Sequence, residues 1–194
     1  MRVIAGEFKG RRLEAPTWPG LRPTSDRLRE TLFNVLAPRV GGARVVDGFA
    51  GTGALGIEAL SRGAAHATFV EQDPRAARLI RANLERCGIA AGRYAIIRAD
   101  FRTLRAPAPE ADLVLLDPPY DQSSLDDTLA AARQLLRPGG LIVLEHAKRR
   151  GAPDRAAGLQ RVRVLRAGDS VLSFYEAAVS VDDPPRDAGE DRST

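Results

Sequence analysis

Val45-Val46-Asp47 closes an apolar run and passes directly into Gly48-Phe49-Ala50-Gly51-Thr52-Gly53-Ala54-Leu55-Gly56-Ile57-Glu58. No other stretch of the chain constrains the fold as tightly. Glycines spaced G-x-G-x-x-G, after a strand and before a helix, let the chain turn sharply and bring backbone N–H groups close to a ligand. A strand feeding a helix in this way starts a βαβ unit, so a doubly wound, mostly parallel α/β sheet is predicted. The alternation continues downstream. Strands are predicted at 44–47, 67–71, 94–99, 113–117 and 141–145, and helices at 55–62, 74–87 and 125–136. Asp73 before Pro74 is an N-cap with proline at the first helical position, and Gly63 and Gly88 are C-terminal stops.

The glycine spacing is the dinucleotide fingerprint, and Glu71 closes the next apolar run where a ribose-binding acid would stand. NAD is therefore one reading. Against it, Asp47 stands just before the loop, where a carboxylate suits a cationic amino-acid ligand better than a pyrophosphate. The last segments, 162–165 and 171–175 around Arg166-Ala167-Gly168-Asp169, read as an antiparallel hairpin, whereas a dehydrogenase would continue with parallel crossovers.

Asp117-Pro118-Pro119-Tyr120 follows the apolar run Leu113 to Leu116, so it falls at a strand's carboxyl end. The bland reading is a proline turn closing a strand. The chemical reading is methyl transfer to a flat, conjugated NH2 group, whose lone pair is delocalised into its ring. The Asp117 carboxylate and a backbone carbonyl can accept its two N–H bonds and turn the lone pair toward an electrophile. The prolines have no N–H to compete and keep the backbone extended, and the Tyr120 ring offers a face for stacking a base. Beside a sulfonium methyl this segment has a role, and in hydride transfer it has none, so S-adenosylmethionine is the expected cofactor.

With these motifs, the chain resembles the bacterial 16S ribosomal RNA guanine-N2 methyltransferase family (RsmD type) of the class I methyltransferases. Leu21-Arg22-Pro23-Thr24-Ser25-Asp26-Arg27-Leu28-Arg29-Glu30-Thr31-Leu32-Phe33-Asn34 resembles its N-terminal signature, and Phe49 to Ala64 its cofactor segment. The likeness runs from about Arg2 to Glu176; Gly48 departs from it, standing where a bulkier apolar residue is usual, as does the tail after Val181. The resemblance implies a cofactor site of Asp47, Phe49, Gly51, Thr52, Gly53, Glu71, Asp100 and Phe101. In it Glu71 accepts both ribose hydroxyls, Asp100 and Phe101 bracket the adenine, and Asp47 lies near the methionine end. For Asp100 a helix cap is the alternative. Asp117, Pro118, Pro119 and Tyr120 are the implied catalytic residues, and the base has to be unpaired or flipped out to reach them. A DNA or RNA adenine or cytosine amino-methyltransferase would share the Asp-Pro-Pro-Tyr segment. A protein glutamine methyltransferase would more typically carry Asn in place of Asp117. A non-catalytic RNA-binding module of the same fold is the alternative from another class.

The charge agrees with a polyanionic partner. The chain carries +4 overall, but its last fourteen residues, 181–194, contribute −3 and leave the body at +7. Lys9 and Lys148 are the only lysines, so arginine is the habitual cation, and no single arginine is marked by its type alone. An N-terminal extension (1–40) is expected to comprise a β-hairpin with a basic, aromatic Phe8-Lys9 tip, a Pro/Gly-rich loop, and a helix ending before Pro38. Lys9, Arg22, Arg27 and Arg29 are its candidate contacts to 16S ribosomal RNA, within a protein-loaded small subunit; Arg27 and Arg29 could equally be an exposed helix face. The methyltransferase domain is placed at 41–180 and a disordered acidic tail at 181–194. With one cysteine, Cys87, there is no disulfide framework or cysteine-based zinc site, and no metal is expected. His66 and His146 are read as strand-edge histidines. A monomer in the cytoplasm is expected, no apolar run approaching membrane-spanning length.

Overall fold

The computed structural model describes residues 1–18, 25–104, 110–119 and 124–178. In chain order its elements are α1 (Asp26–Val40), β1 (Arg44–Gly48), α2 (Ala54–Ser61), β2 (His66–Val70), α3 (Pro74–Cys87), β3 (Tyr94–Ile97), β4 (Ala111–Leu116), α4 (Leu125–Leu135), β5 (Leu136–Ala147), β6 (Arg155–Ala156), β7 (Leu159–Ala167) and β8 (Ser170–Ala177). Short 3-10 turns lie at Ala91–Arg93 and Phe101–Thr103.

The strands form one sheet in the order β3-β2-β1-β4-β5-β8-β7-β6. The first five are parallel, and β8, β7 and β6 are antiparallel to their neighbours. The predicted α/β sheet with an antiparallel C-terminal hairpin is therefore present. β8 enters between β5 and β7, which a continued parallel crossover could not produce. Register aligns the strand ends: Gly48 faces Val70 on one side and Leu116 on the other, Val70 faces Ile97, and Leu116 faces Leu144. The loops after β1, β2, β3 and β4 thus open onto one edge.

Side-chain alternation divides the core. Leu113, Leu115 and Val143 pack under α1 with Phe33 and Leu36, while Val114, Leu116 and Leu144 pack under α4 with Leu129. Burial on both faces is why β4 reads as an unbroken apolar run. Ser25 caps α1 by accepting from the Leu28 N–H at 3.2 Å. Asp73 caps α3, and Gly88 ends it at φ +70°. α1 runs through Pro38 to Val40 and does not stop before the proline. Pro38 forfeits one helical bond near the end, while buried Leu36 and Val40 keep that turn on the sheet.

The N-terminal segment departs most from expectation. The two arms of the expected hairpin pair antiparallel around Arg2 and Arg12, with the Val3 N–H donating to the Arg11 carbonyl and the Leu13 N–H to the Met1 carbonyl, but they are too short to form strands. Nor is Phe8 an exposed tip: it is buried against Ile57, Leu60 and Val3. The cause is α2, whose buried Glu58 accepts from the backbone N–H groups of Ile4 (2.8 Å) and Ala5 (3.1 Å) and from Arg62 Nε (2.7 Å). Ser61 Oγ accepts from the Phe8 N–H, and the Ser61 carbonyl accepts from the Glu7 N–H. Gly6 lies at φ +84° so close to the Ser61 carbonyl that a Cβ would meet it at 1.8 Å. A backbone strip that cannot join the sheet thus has its donors satisfied by a helix.

His146 lies at the carboxyl end of β5, as expected, and is buried with both ring nitrogens bonded. Cys87 is buried on α3, as a packed small side chain would be. Among the described residues no helix is long and apolar enough to cross a membrane. The 181–194 tail lies outside the described residues.

Glu58→Ala should destabilise the protein by about 3 kcal/mol, since it strands two backbone donors and a guanidinium, and hydrogen bonds to charged groups are worth about 1.5–3 kcal/mol each. Glu58→Gln should cost less. Urea denaturation gives the stability, and hydrogen exchange at Ile4 and Ala5 should accelerate selectively. Unchanged exchange at those amides would show that the strip is held by packing alone.

Candidate active site

Asp47 is the acid most deeply set at the carboxyl edge. Its carboxylate is buried on β1, and Oδ2 accepts from the Gly56 N–H at 2.8 Å. Gly56 is the third residue of α2, whose own N-cap, Gly53, has no side chain to offer. Asp47 therefore caps α2 from across the loop, as an N-cap side chain would. Burial pushes its carboxyl up to about 8, aided by the negative charge of Glu71 and opposed by the Gly56 N–H.

Glu71, one residue beyond β2, holds the same loop from the other side. Oε2 accepts from the Gly51 N–H at 2.9 Å and Oε1 from the Asp73 N–H at 2.8 Å. An acid at this position therefore has a structural purpose that the sequence reading did not credit. Each oxygen keeps a further lone pair. Gly51 (φ +56°) and Gly53 (φ +77°) take the left-handed turns, and Phe49 does so at φ +62° despite its side chain. Gly56 brings helix and sheet together, since a Cβ there would meet the Phe69 ring at 2.3 Å.

This geometry discriminates between ligands. A pyrophosphate needs the free N–H groups and positive end of a helix N-terminus. Here Asp47 takes the Gly56 N–H and Glu71 takes the Gly51 N–H, so a polyanion would find both donors already occupied. A ligand bearing an ammonium or sulfonium group would favour the ionised form of Asp47, which has no cationic side chain bonded to it among the described residues. The residues present fit S-adenosylmethionine.

The other expected site residues fall around this centre. Thr52 is buried, and its carbonyl accepts from Asn83 Nδ2 at 3.0 Å. Asn83 Oδ1 accepts from the Glu14 N–H at 2.7 Å, tying the cofactor loop to the N-terminal segment. The sequence reading missed Asn83, whose signal is a lone amide on the apolar face of α3 between Ile80 and Leu84. Asp100 caps the 3-10 turn at Phe101–Thr103 and is ion-paired with Arg102, which holds its carboxyl below the usual range. Phe101 is buried 5.3 Å, centroid to centroid, from Phe49. A Cβ on Gly48 would meet the Phe101 ring at 2.7 Å, so the glycine makes room for this ring.

At the end of β4, Asp117 is half-buried, Pro118 buried and Pro119 exposed. Leu116 faces Gly48 in the sheet register, so Asp117 leaves β4 beside the strand that carries Asp47. Tyr120 and Arg22 lie outside the described residues. Lys9 and Arg27 are exposed, but Arg29 is fully buried and is no exposed helix residue. Its Nη2 donates to the Arg2 carbonyl (2.8 Å) and Asp26 (2.7 Å). Among the described residues no group of three or more His, Cys, Asp or Glu side chains is arranged to hold a metal.

Residues 1–176 match the family model described as Conserved hypothetical protein 95. Ribosomal RNA small subunit methyltransferase D of Escherichia coli K12 is 37% identical over 91% of this chain and 89% of its own length. The chain belongs to the RsmD family. The Haemophilus influenzae protein of the same name is 39% identical over 76% of this chain and 79% of its own length. The solved structure of yhhF from Escherichia coli superposes with a TM-score of 0.80 at 34% identity, covering 92% of this chain and 98% of that one. An S-adenosylmethionine dependent methyltransferase from Mesorhizobium loti shares the fold at a TM-score of 0.52 and 23% identity, covering 60% of this chain and 52% of that one.

Because the folded value of Asp47 lies near 8 and the ordinary value is 3.8, the native state binds the extra proton between these limits. Its contribution to stability is full below the ordinary carboxylate range and is lost as pH rises toward about 8. Asp47→Asn removes this titration and retains an acceptor for Gly56. In melting curves across pH 5 to 9, the wild type should lose stability relative to Asp47→Asn as pH rises, levelling above about 8. A constant difference would place the Asp47 titration elsewhere.

Proposed function

We propose that the protein transfers a methyl group from S-adenosylmethionine to the exocyclic N2 amine of a guanine in 16S ribosomal RNA of the small subunit. The observation that carries this is the loop between β1 and α2, where Asp47 and Glu71 take the N–H groups a dinucleotide would need. Support comes from the position of Asp117-Pro118 just past the end of the adjacent strand and from relatives named as ribosomal RNA small subunit methyltransferase D.

The bound donor supplies an already activated methyl on a positively charged sulfur. Asp47 and the turns at Gly51 and Gly53 set the donor's cationic end, and the spare lone pairs of Glu71 take its ribose hydroxyls. Asp117 and the Pro118 carbonyl accept the two N–H bonds of the guanine amine and direct its lone pair along the line of the breaking C–S bond. Tyr120 stacks on the base. As the N–C bond forms, the amine would shed one proton to water or to Asp117, and the C–S electron pair would remain with the departing donor. Catalysis then consists mainly of holding two reactants in line and excluding water.

The decisive experiment is transfer of tritiated methyl to small subunits and to free ribosomal RNA from a strain lacking the enzyme, with the modified base mapped. Label at a guanine N2 is expected; label on adenine, cytosine or protein would overturn the reading. Asp117→Ala should keep donor affinity within a few-fold by calorimetry yet lose most transfer. Tyr120→Phe should be nearly as active as wild type and Tyr120→Ala much weaker, because the ring face is what stacks. A Phe variant as inactive as the Ala variant would assign the hydroxyl to the chemistry.

A further inference from the structure

Beyond the active site, the interior of the sheet holds an unusual amount of polar material under two turns. Ser170 Oγ donates to Glu145 Oε1 at 2.9 Å. His146 bonds the Arg150 carbonyl through Nδ1 at 2.7 Å, so the proton sits on Nδ1, and Nε2 accepts from Ser173 Oγ at 3.0 Å. Glu145, His146 and Ser173 are buried. Buried polar groups constrain geometry when each is satisfied. What these groups hold in place is the turn after β5 and, beside it, the β7–β8 turn. Arg150 N–H donates to the Ala147 carbonyl at 2.9 Å, and Lys148 N–H donates to the Asp169 carbonyl at 2.8 Å, clamping one turn to the other.

The clamped turns are cationic. Lys148, Arg149 and Arg150 lie in the turn after β5 and Arg166 near the end of β7, with Asp169 in the β7–β8 turn and Glu145 buried beneath. Lys148, Arg149 and Arg166 are exposed, and none of these three is ion-paired among the described residues. Both turns lie at the carboxyl edge, since β5 ends there and Ala147 faces Ser170. Leu116 faces Leu144, so Asp117 is level with Glu145 and Lys148 stands three residues further, roughly 10 Å at about 3.3 Å per residue. A braced, positively charged ridge therefore rises on the strand next to the one that ends in Asp117-Pro118.

We propose that this ridge, formed by Lys148, Arg149 and Arg166, grips the RNA backbone phosphates flanking the target nucleotide. The inference rests on the RNA-methyltransferase reading above and adds to it a contact surface separate from the N-terminal extension. Its position explains the bracing: a base drawn out of its stack needs its flanking backbone held at a fixed distance from the pocket. Phosphates fit three cations of which two are long guanidinium forks.

The test replaces Lys148, Arg149 and Arg166 together with Gln, beside a charge-matched control of Arg81→Gln, Arg133→Gln and Arg155→Gln. Binding to a 16S ribosomal RNA transcript and methyl transfer to small subunits are measured against salt, with donor affinity by calorimetry. The ridge variant should keep donor affinity, and its slope of log affinity against log salt should be shallower by about 2, at about 0.7 per single-strand phosphate contact. Between 50 and 200 mM salt the wild type should then lose about 16-fold more affinity than the variant. Equal losses in the control, or an unchanged slope, would overturn the proposal. So would a variant that fails on assembled subunits but binds the transcript with wild-type slope, which would assign the ridge to a protein partner. Wild-type protein that neither binds nor methylates ribosomal RNA would instead refute the function proposed above.

Discussion

A single hydrogen bond, from the Gly56 N–H to the buried carboxylate of Asp47, sets the terms for the rest of the carboxyl edge. It ends β1 and starts α2 in one contact, so the loop between them is held at both ends. It also places an acid where a phosphate-binding fold leaves a helix N-terminus open. An uncompensated carboxylate in that position is unfavourable, which is why it holds a proton up to about 8. A cationic ligand removes the penalty. The preference for a sulfonium donor over a dinucleotide thus follows from what already fills the glycine loop, and the glycine spacing alone could not supply it.

α2 serves two sides of the molecule. Its first turn borders the donor site, and its last turns hold residues 4–8 through Glu58 and Ser61. Asn83 on α3 adds a second tie, binding the Thr52 carbonyl of the cofactor loop and the Glu14 backbone with one amide. The segment before α1 therefore shares its support with the donor loop, although the two are far apart in sequence. Displacing either end of α2 would be felt at the other, because the helix has eight residues and all of them are buried.

The fold was largely legible because parallel strands buried on both faces leave unbroken apolar runs, and because caps such as Asp73 and stops such as Gly88 carry local signals. Boundaries were less so. β5 begins at Leu136, through an Arg-Pro-Gly-Gly segment that reads as a turn. At the site, Asp47 and Glu71 could be placed at strand ends from the sequence. Their bonds to Gly56 and Gly51 could not, since those are contacts across nine and twenty residues. Arg29 and Phe8 were misjudged for one reason. Each is buried by a partner from a distant segment: Arg29 by the Arg2 carbonyl and Phe8 by α2. Periodicity reports an element's own faces and carries no information on a strip or strand that arrives later to cover them.

Charge can be divided in the same spirit. Every ion pair among the described residues uses an arginine, and most leave at least one partner exposed to solvent. Such exposed pairs contribute only about 0–1 kcal/mol each, so the arginine-rich composition is no measure of stability. Nor is it a measure of RNA contact, because a paired guanidinium exchanges one anion for another at little gain. What distinguishes a cation available to a polyanion is exposure, freedom from an ion pair and a backbone that does not need it. The turns after β5 and β7 meet these conditions beside the strand that carries Asp117, and a buried polar network fixes their shape. Because a sulfonium methyl is already reactive, the protein's contribution to rate lies in position. On the function proposed above, residues that hold a nucleic acid at the carboxyl edge would then matter to the chemistry as much as those that touch the reacting atoms.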